Sequence, residues 1–104
     1  MTPDELFDRV ADKLTPLEVS TGKLFGKRAL KVHGKAFACL KGDYLAFKLG
    51  EGTPAHTKAL ALPGSELFDA SGKNQPFKDW VAVPQTHADQ WLRLSKTALK
   101  TLTP

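Results

Sequence analysis

Ala29-Leu30-Lys31-Val32-His33-Gly34-Lys35-Ala36-Phe37-Ala38-Cys39-Leu40-Lys41-Gly42-Asp43-Tyr44-Leu45-Ala46-Phe47-Lys48-Leu49 is the stretch that decides the fold. It holds three short apolar runs, 29–32, 36–40 and 44–49, separated by His33-Gly34 and by Lys41-Gly42-Asp43. Runs of strand length with glycine-bearing gaps predict an antiparallel meander. A two-residue turn at His33-Gly34 pairs Val32 with Lys35 and Leu30 with Phe37 on one side of the sheet. The other side then carries Ala29, Lys31, Ala36 and Ala38. A two-residue turn at Gly42-Asp43 pairs Cys39 with Ala46 and Ala38 with Phe47. One extra residue in either turn inverts this parity. Both sides are apolar, yet the helices of a two-layer fold cover only one. The expectation is an open sheet face showing Phe37, Tyr44 or Phe47 among lysines, a surface for a protein partner or a second copy of the chain.

Upstream, Thr2-Pro3-Asp4-Glu5 is a capping box with proline at the first helical position. Leu6, Val10 and Leu14, joined by Phe7 and Ala11, form one helical stripe, and Pro16 ends the helix. Residues 17–26 read as a connector with a short extended piece around Leu24-Phe25. Downstream, Thr53-Pro54 opens a helix expected to run to about Leu62, stopped by Pro63-Gly64. Residues 66–68 form a short strand, 69–76 a polar loop, and 79–83 a clear strand closed by Pro84. Thr86 is expected to cap a last helix over 87–102. The order α-β-β-β-α-β-β-α, in a chain of 104 residues, predicts one α+β domain. Its form is two layers, an antiparallel sheet with helices on one side.

Charge is unevenly spread. The chain carries a net +4, but residues 1–19 sum to −3 and residues 20–50 to +6. The basic stretch coincides with the meander, so Lys27, Lys31, Lys35 and Lys48 are candidate phosphate contacts, with Phe37 or Tyr44 to stack bases. Against it stands the bland reading, a solvated sheet whose lysines guard its edges.

Catalytic patterns are missing. His33, His56 and His87 have no metal-ligand spacing, Cys39 is the single cysteine, and there is no G-x-S-x-G, Walker loop or G-x-G-x-x-G. Gly50-Glu51-Gly52-Thr53-Pro54 reads as a plain helix cap. No metal or cofactor is expected, and the reading favours a non-enzyme. Trp80 and Trp91 read as core anchors, with a small-ligand pocket between them as the rival. The acidic start lacks a signal-peptide pattern, and the longest apolar run, 36–40, is too short to span a membrane. A cytoplasmic protein is expected.

Leu24-Phe25-Gly26, Ala29-Leu30-Lys31-Val32 and Gly34-Lys35-Ala36-Phe37-Ala38 together resemble the N-terminal domain family of TfoX-type competence regulators. Leu45 and Lys48 fit its third strand. Phe68, Gly72, Trp80-Val81, Val83-Pro84 and Trp91 resemble its second half or the related YjbR/MmcQ-like proteins. The likeness spans roughly 17–102 and rests on structural glycines and core positions. Leu24 stands where methionine is usual, and Lys27 where a second glycine is common. The helical C-terminal domain of full-length regulators has no counterpart in these residues. The resemblance implies a two-layer α/β domain with a regulatory or protein-interaction role. Three functions are therefore carried forward: a non-enzymatic regulatory domain, a nucleic-acid binder using residues 23–48, and a small-ligand binder or enzyme near Trp80 and Trp91.

Overall fold

The computed structural model describes residues 1–69 and 76–102. The chain runs through helix α1 (Pro3–Leu14), then strands β1 (Val19–Leu24), β2 (Lys27–Val32), β3 (Lys35–Lys41) and β4 (Tyr44–Lys48). Helix α2 (Pro54–Leu60), strands β5 (Glu66–Phe68) and β6 (Phe77–Pro84) and helix α3 (Trp91–Leu102) complete it. The sheet is antiparallel throughout, in the order β1-β2-β3-β4-β6-β5. The α+β class and the single helical layer agree with the sequence. The polar loop expected over 69–76 lies outside the described residues from 70 to 75.

Helix α1 starts as its capping box dictates. Thr2 accepts a hydrogen bond from the Glu5 amide, and Glu5 accepts one from the Thr2 amide, each at 3.1 Å. Its buried stripe of Phe7, Val10 and Leu14 packs with Ala59 of α2 and Trp91, Leu94 and Ala98 of α3. Against them the sheet sets Leu30, Val32, Phe37, Leu45, Phe47, Val81 and Val83. This is the principal core, and the whole helical layer lies over one face. Trp91 is fully buried in it, its indole N–H donating to the Val83 carbonyl at 3.2 Å.

Four local expectations need correction. Residues 19–24 are a full edge strand rather than a connector. Only Val19 of that strand is buried, so it carries no alternation of apolar residues to read. The last helix begins at Trp91, not at 87. Gln85–Gln90 form a 3-10 turn with no side-chain cap from Thr86, broken by a non-helical His87. The pull of Trp91 into the core and the bond between His87 Nε2 and the Pro63 carbonyl (2.8 Å) fix that turn. Helix α2 stops at Leu60, though Leu62 still packs on the core.

The fourth correction is one of register. Val32 pairs with Lys35, Cys39 with Ala46 and Ala38 with Phe47, as the two-residue turns require. Leu30, however, pairs with Ala38 rather than Phe37, because the register shifts between Leu30 and Lys31. Phe37 is the extra residue of a β-bulge. The bulge lets Phe37 and Ala38 both enter the principal core, and it leaves Ala36 and Cys39 on the opposite face.

Candidate functional site

The face away from the helices is built by the residues whose parity turns them outward. A second apolar cluster of Cys39, Ala46, Phe68 and Ala82 marks it, with Leu24, Tyr44 and Trp80 packed alongside. Lys48 pairs with Trp80 and lies two residues from Ala46, so it shares this face. Lys27 pairs with Leu24 and acts electrostatically on the Cys39 thiol, and Lys31 follows two residues after Ala29, the partner of Cys39. Lys31 also crosses β1 at Gly22, where an added Cβ would lie 3.2 Å from the lysine Cδ and Cε. Gly22 thus gives the Lys31 stem its path over the strand.

The face is strongly curled. Phe25, in the β1–β2 turn, stacks on Phe77 of β6 with ring centroids 5.4 Å apart and planes 21° from parallel. Strands β3 and β4 lie between those elements, so in a flat sheet the strands themselves would stand about 14 Å apart. The hairpin tip also bends onto β3, where the Cys39 thiol donates to the Leu24 carbonyl at 3.8 Å. Phe77 continues the aromatic row to Phe68 (6.3 Å), and Phe68 continues it to Trp80 (5.7 Å).

Under this arch lies a cavity of about 320 Å³. Leu24, Phe25, Phe77 and Trp80 give it apolar walls. Lys35 and Lys48 bring charge to it, and Ala36 and Leu102 complete the lining. Phe25 and Phe77 remain 55% and 40% exposed, the two phenylalanines most open to water among the described residues. Lys27, Lys31 and Lys48 share this face by parity, whereas Lys35, paired with the core residue Val32, only borders the cavity. Lys41 joins them by position but donates to the Asp69 carbonyl near a smaller recess of about 210 Å³ edged by Glu66 and Asp69.

The aromatic expectations fare less well. Phe37 and Phe47 are fully buried beneath the helices, so they neither stack on a ligand nor offer a docking surface on the open face. Tyr44 is on that face but half-buried. Trp80 and Trp91 belong to opposite faces of the sheet, which removes the pocket between them. Phe25 and Phe77 are not among the rings the sequence points to. The only mark in the sequence is the Phe25-Gly26 pair, which the structure places in a two-residue hairpin turn with φ of 55° and 74°. That conformation favours Asn-Gly, and phenylalanine in it is unusual.

Other polar groups are dispersed. Asp4 and Asp8 of α1 hold Arg28 at 3.1 and 2.6 Å, and the bond to Asp8 first, then that to Asp4, pushes the guanidinium pKa up. Arg28 also lies over the Phe7 ring at 4.4 Å. The acidic N-terminal helix thus spends two of its carboxylates on the helical side. His33 faces Glu18 at 3.4 Å, and buried His56 holds the Lys78 carbonyl at 2.7 Å. Burial pushes the Cys39 thiol up to about 11, against the pull of Lys27. Among the described residues no group of three His, Cys, Asp or Glu side chains is placed to hold a metal. Among them, too, no helix is long and apolar enough to cross a membrane. Compared with protein-family models, curated proteins and solved structures, the chain matches none.

Proposed function

We propose that this chain is a non-enzymatic binding domain whose curled sheet face seats nucleic acid. The observation that carries the proposal is the placement of Lys27, Lys31 and Lys48 on one face, with Lys35 at the rim of its cavity, beside exposed aromatic rings. Phosphates supply affinity through lysine, and flat apolar rings accept bases. The acidic residues of α1 that would repel a polyanion belong to the other layer, two of them tied to Arg28. A regulatory role of the kind implied by the TfoX-type resemblance fits such a domain, because it would act through what it binds.

Fluorescence anisotropy with labelled oligonucleotides tests the proposal. The expected result is binding at low salt, weakened by the double substitution Lys31→Ala with Lys48→Ala on the order of tenfold. Lys13→Ala, on the helical layer, serves as the matched control and leaves affinity unchanged. No binding to any oligonucleotide at low salt, or equal weakening by Lys13→Ala, overturns it.

A further inference from the structure

We infer that the cavity under the β1–β2 arch takes one unpaired nucleobase, so that the face selects single-stranded over double-stranded nucleic acid. This rests on the proposed nucleic-acid reading and names the form of polymer it takes. The first observation is the backbone of Phe25. It stands at φ 55°, a left-handed conformation unfavourable for a bulky side chain, at a turn position where asparagine or glycine fits without strain. The comparable turn at His33-Gly34 also has a positive φ (50°) at its first residue, but that side chain faces only Glu18 at the surface. At Phe25 the strained position carries a large ring that stays 55% exposed, so burial alone does not account for it. A strained residue kept at a cleft is an observation from which a binding role follows.

Shape and charge say what is bound. The cavity, about 320 Å³, sits at the lower end of small-molecule sites, which run from about 300 to 1,000 Å³. Its walls are aromatic and aliphatic, and its charged groups, Lys35 and Lys48, are both cationic. That combination suits a flat apolar ring joined to anionic groups, which is a base between its flanking phosphates. A duplex keeps its bases stacked inside and offers this face phosphates only, so the side of the Phe25 ring not stacked on Phe77 stays exposed to water.

The test replaces Phe25 by the residue its backbone prefers. Phe25→Asn is expected to keep or raise the thermal midpoint. It should weaken binding of a single-stranded oligonucleotide about tenfold, the loss of one base–aromatic stack. Its affinity for the matching duplex is expected to stay unchanged, and Phe25→Trp to restore single-strand binding. Equal affinity of the unaltered protein for single strand and duplex, indifferent to Phe25→Asn, overturns the base slot while leaving the lysine face intact. Absence of binding to both forms overturns the nucleic-acid reading itself. Displacement of the oligonucleotide by poly-glutamate at equal charge concentration shows charge recognition alone and overturns the slot as well.

Discussion

Cys39, in the apolar cluster of the open face, shows how burial at one position sets its chemistry. It is fully buried in mid-strand, and its thiol is held protonated by loss of water, with a pKa of about 11 against an ordinary 9.0. The folded state thus binds the thiol proton more tightly than the unfolded state does. Any stability from this difference is present in full below pH 9 and is lost as pH rises from about 9 to about 11. Thiolate is the reactive form, so the native protein is expected to resist an aromatic disulfide reagent at pH 8 and to react fully once unfolded in guanidinium. Rapid native labelling would mean that the hairpin arch over Cys39 opens readily. The neighbouring bulge explains why the faces of β3 differ from those that simple alternation predicts. Phe37 and Ala38 are both apolar, so alternation carries no mark of where the extra residue falls; Phe37 lies beside Leu30 and Val32 as parity predicts, and Ala38, expected on the opposite side, joins them in the core. Beyond the bulge the Gly42-Asp43 turn fixed parity, and Cys39 and Ala46 were correctly paired.

Elements were legible where local chemistry was self-contained. Helix α1 announces itself through Thr2, Pro3 and Glu5, and every bond of the capping box is formed. The Glu5 carboxyl is accordingly held below its ordinary range, first by the Thr2 amide and then by the Thr2 hydroxyl. Thr2→Ala removes the cap and is expected to destabilise the protein by about 1 kcal/mol, the usual cost of an N-cap. Equilibrium urea unfolding reads this as a lower midpoint at unchanged slope. An unaltered midpoint would place the start of α1 outside the cooperative fold. Strand β1 was not legible because an edge strand that buries only Val19 needs no apolar pattern; pairing with β2 specifies it. The 3-10 turn before α3 was hidden for the opposite reason, because Trp91 must reach the core whatever Thr86 prefers locally. The site itself was half legible. Its lysines stand out in the sequence, but its rings depend on a hairpin arching back over the sheet. No local pattern states that Phe25 meets Phe77, a contact made across two intervening strands.

At the scale of the whole molecule, the two layers divide the charge. Residues 1–19 carry −3 and lie mostly in the helical layer, whereas residues 20–50 carry +6 and supply the curled face. Electrostatic attraction of a polyanion therefore acts on one side of a small domain with extents of 33 × 33 × 25 Å. At physiological salt the screening length is about 8 Å, so charges on the far layer contribute little to contacts at the sheet. Binding should then follow the lysines actually engaged rather than the net charge. Each neutralised phosphate of a single strand contributes a slope of roughly −0.7 in log affinity against log salt. With Lys27, Lys31, Lys35 and Lys48 engaged, the expected slope is about −3. Removing Lys31 should shallow it by about 0.7, and removing Lys13 should leave it unchanged. The measurement is a series of anisotropy titrations with one single-stranded oligonucleotide across salt concentrations. A slope near zero would make the contacts apolar and strip the lysines of their role. A slope that shallows equally for Lys13→Ala would mean that the molecule attracts polyanions through its overall charge, and the curled face would lose its claim to be the site.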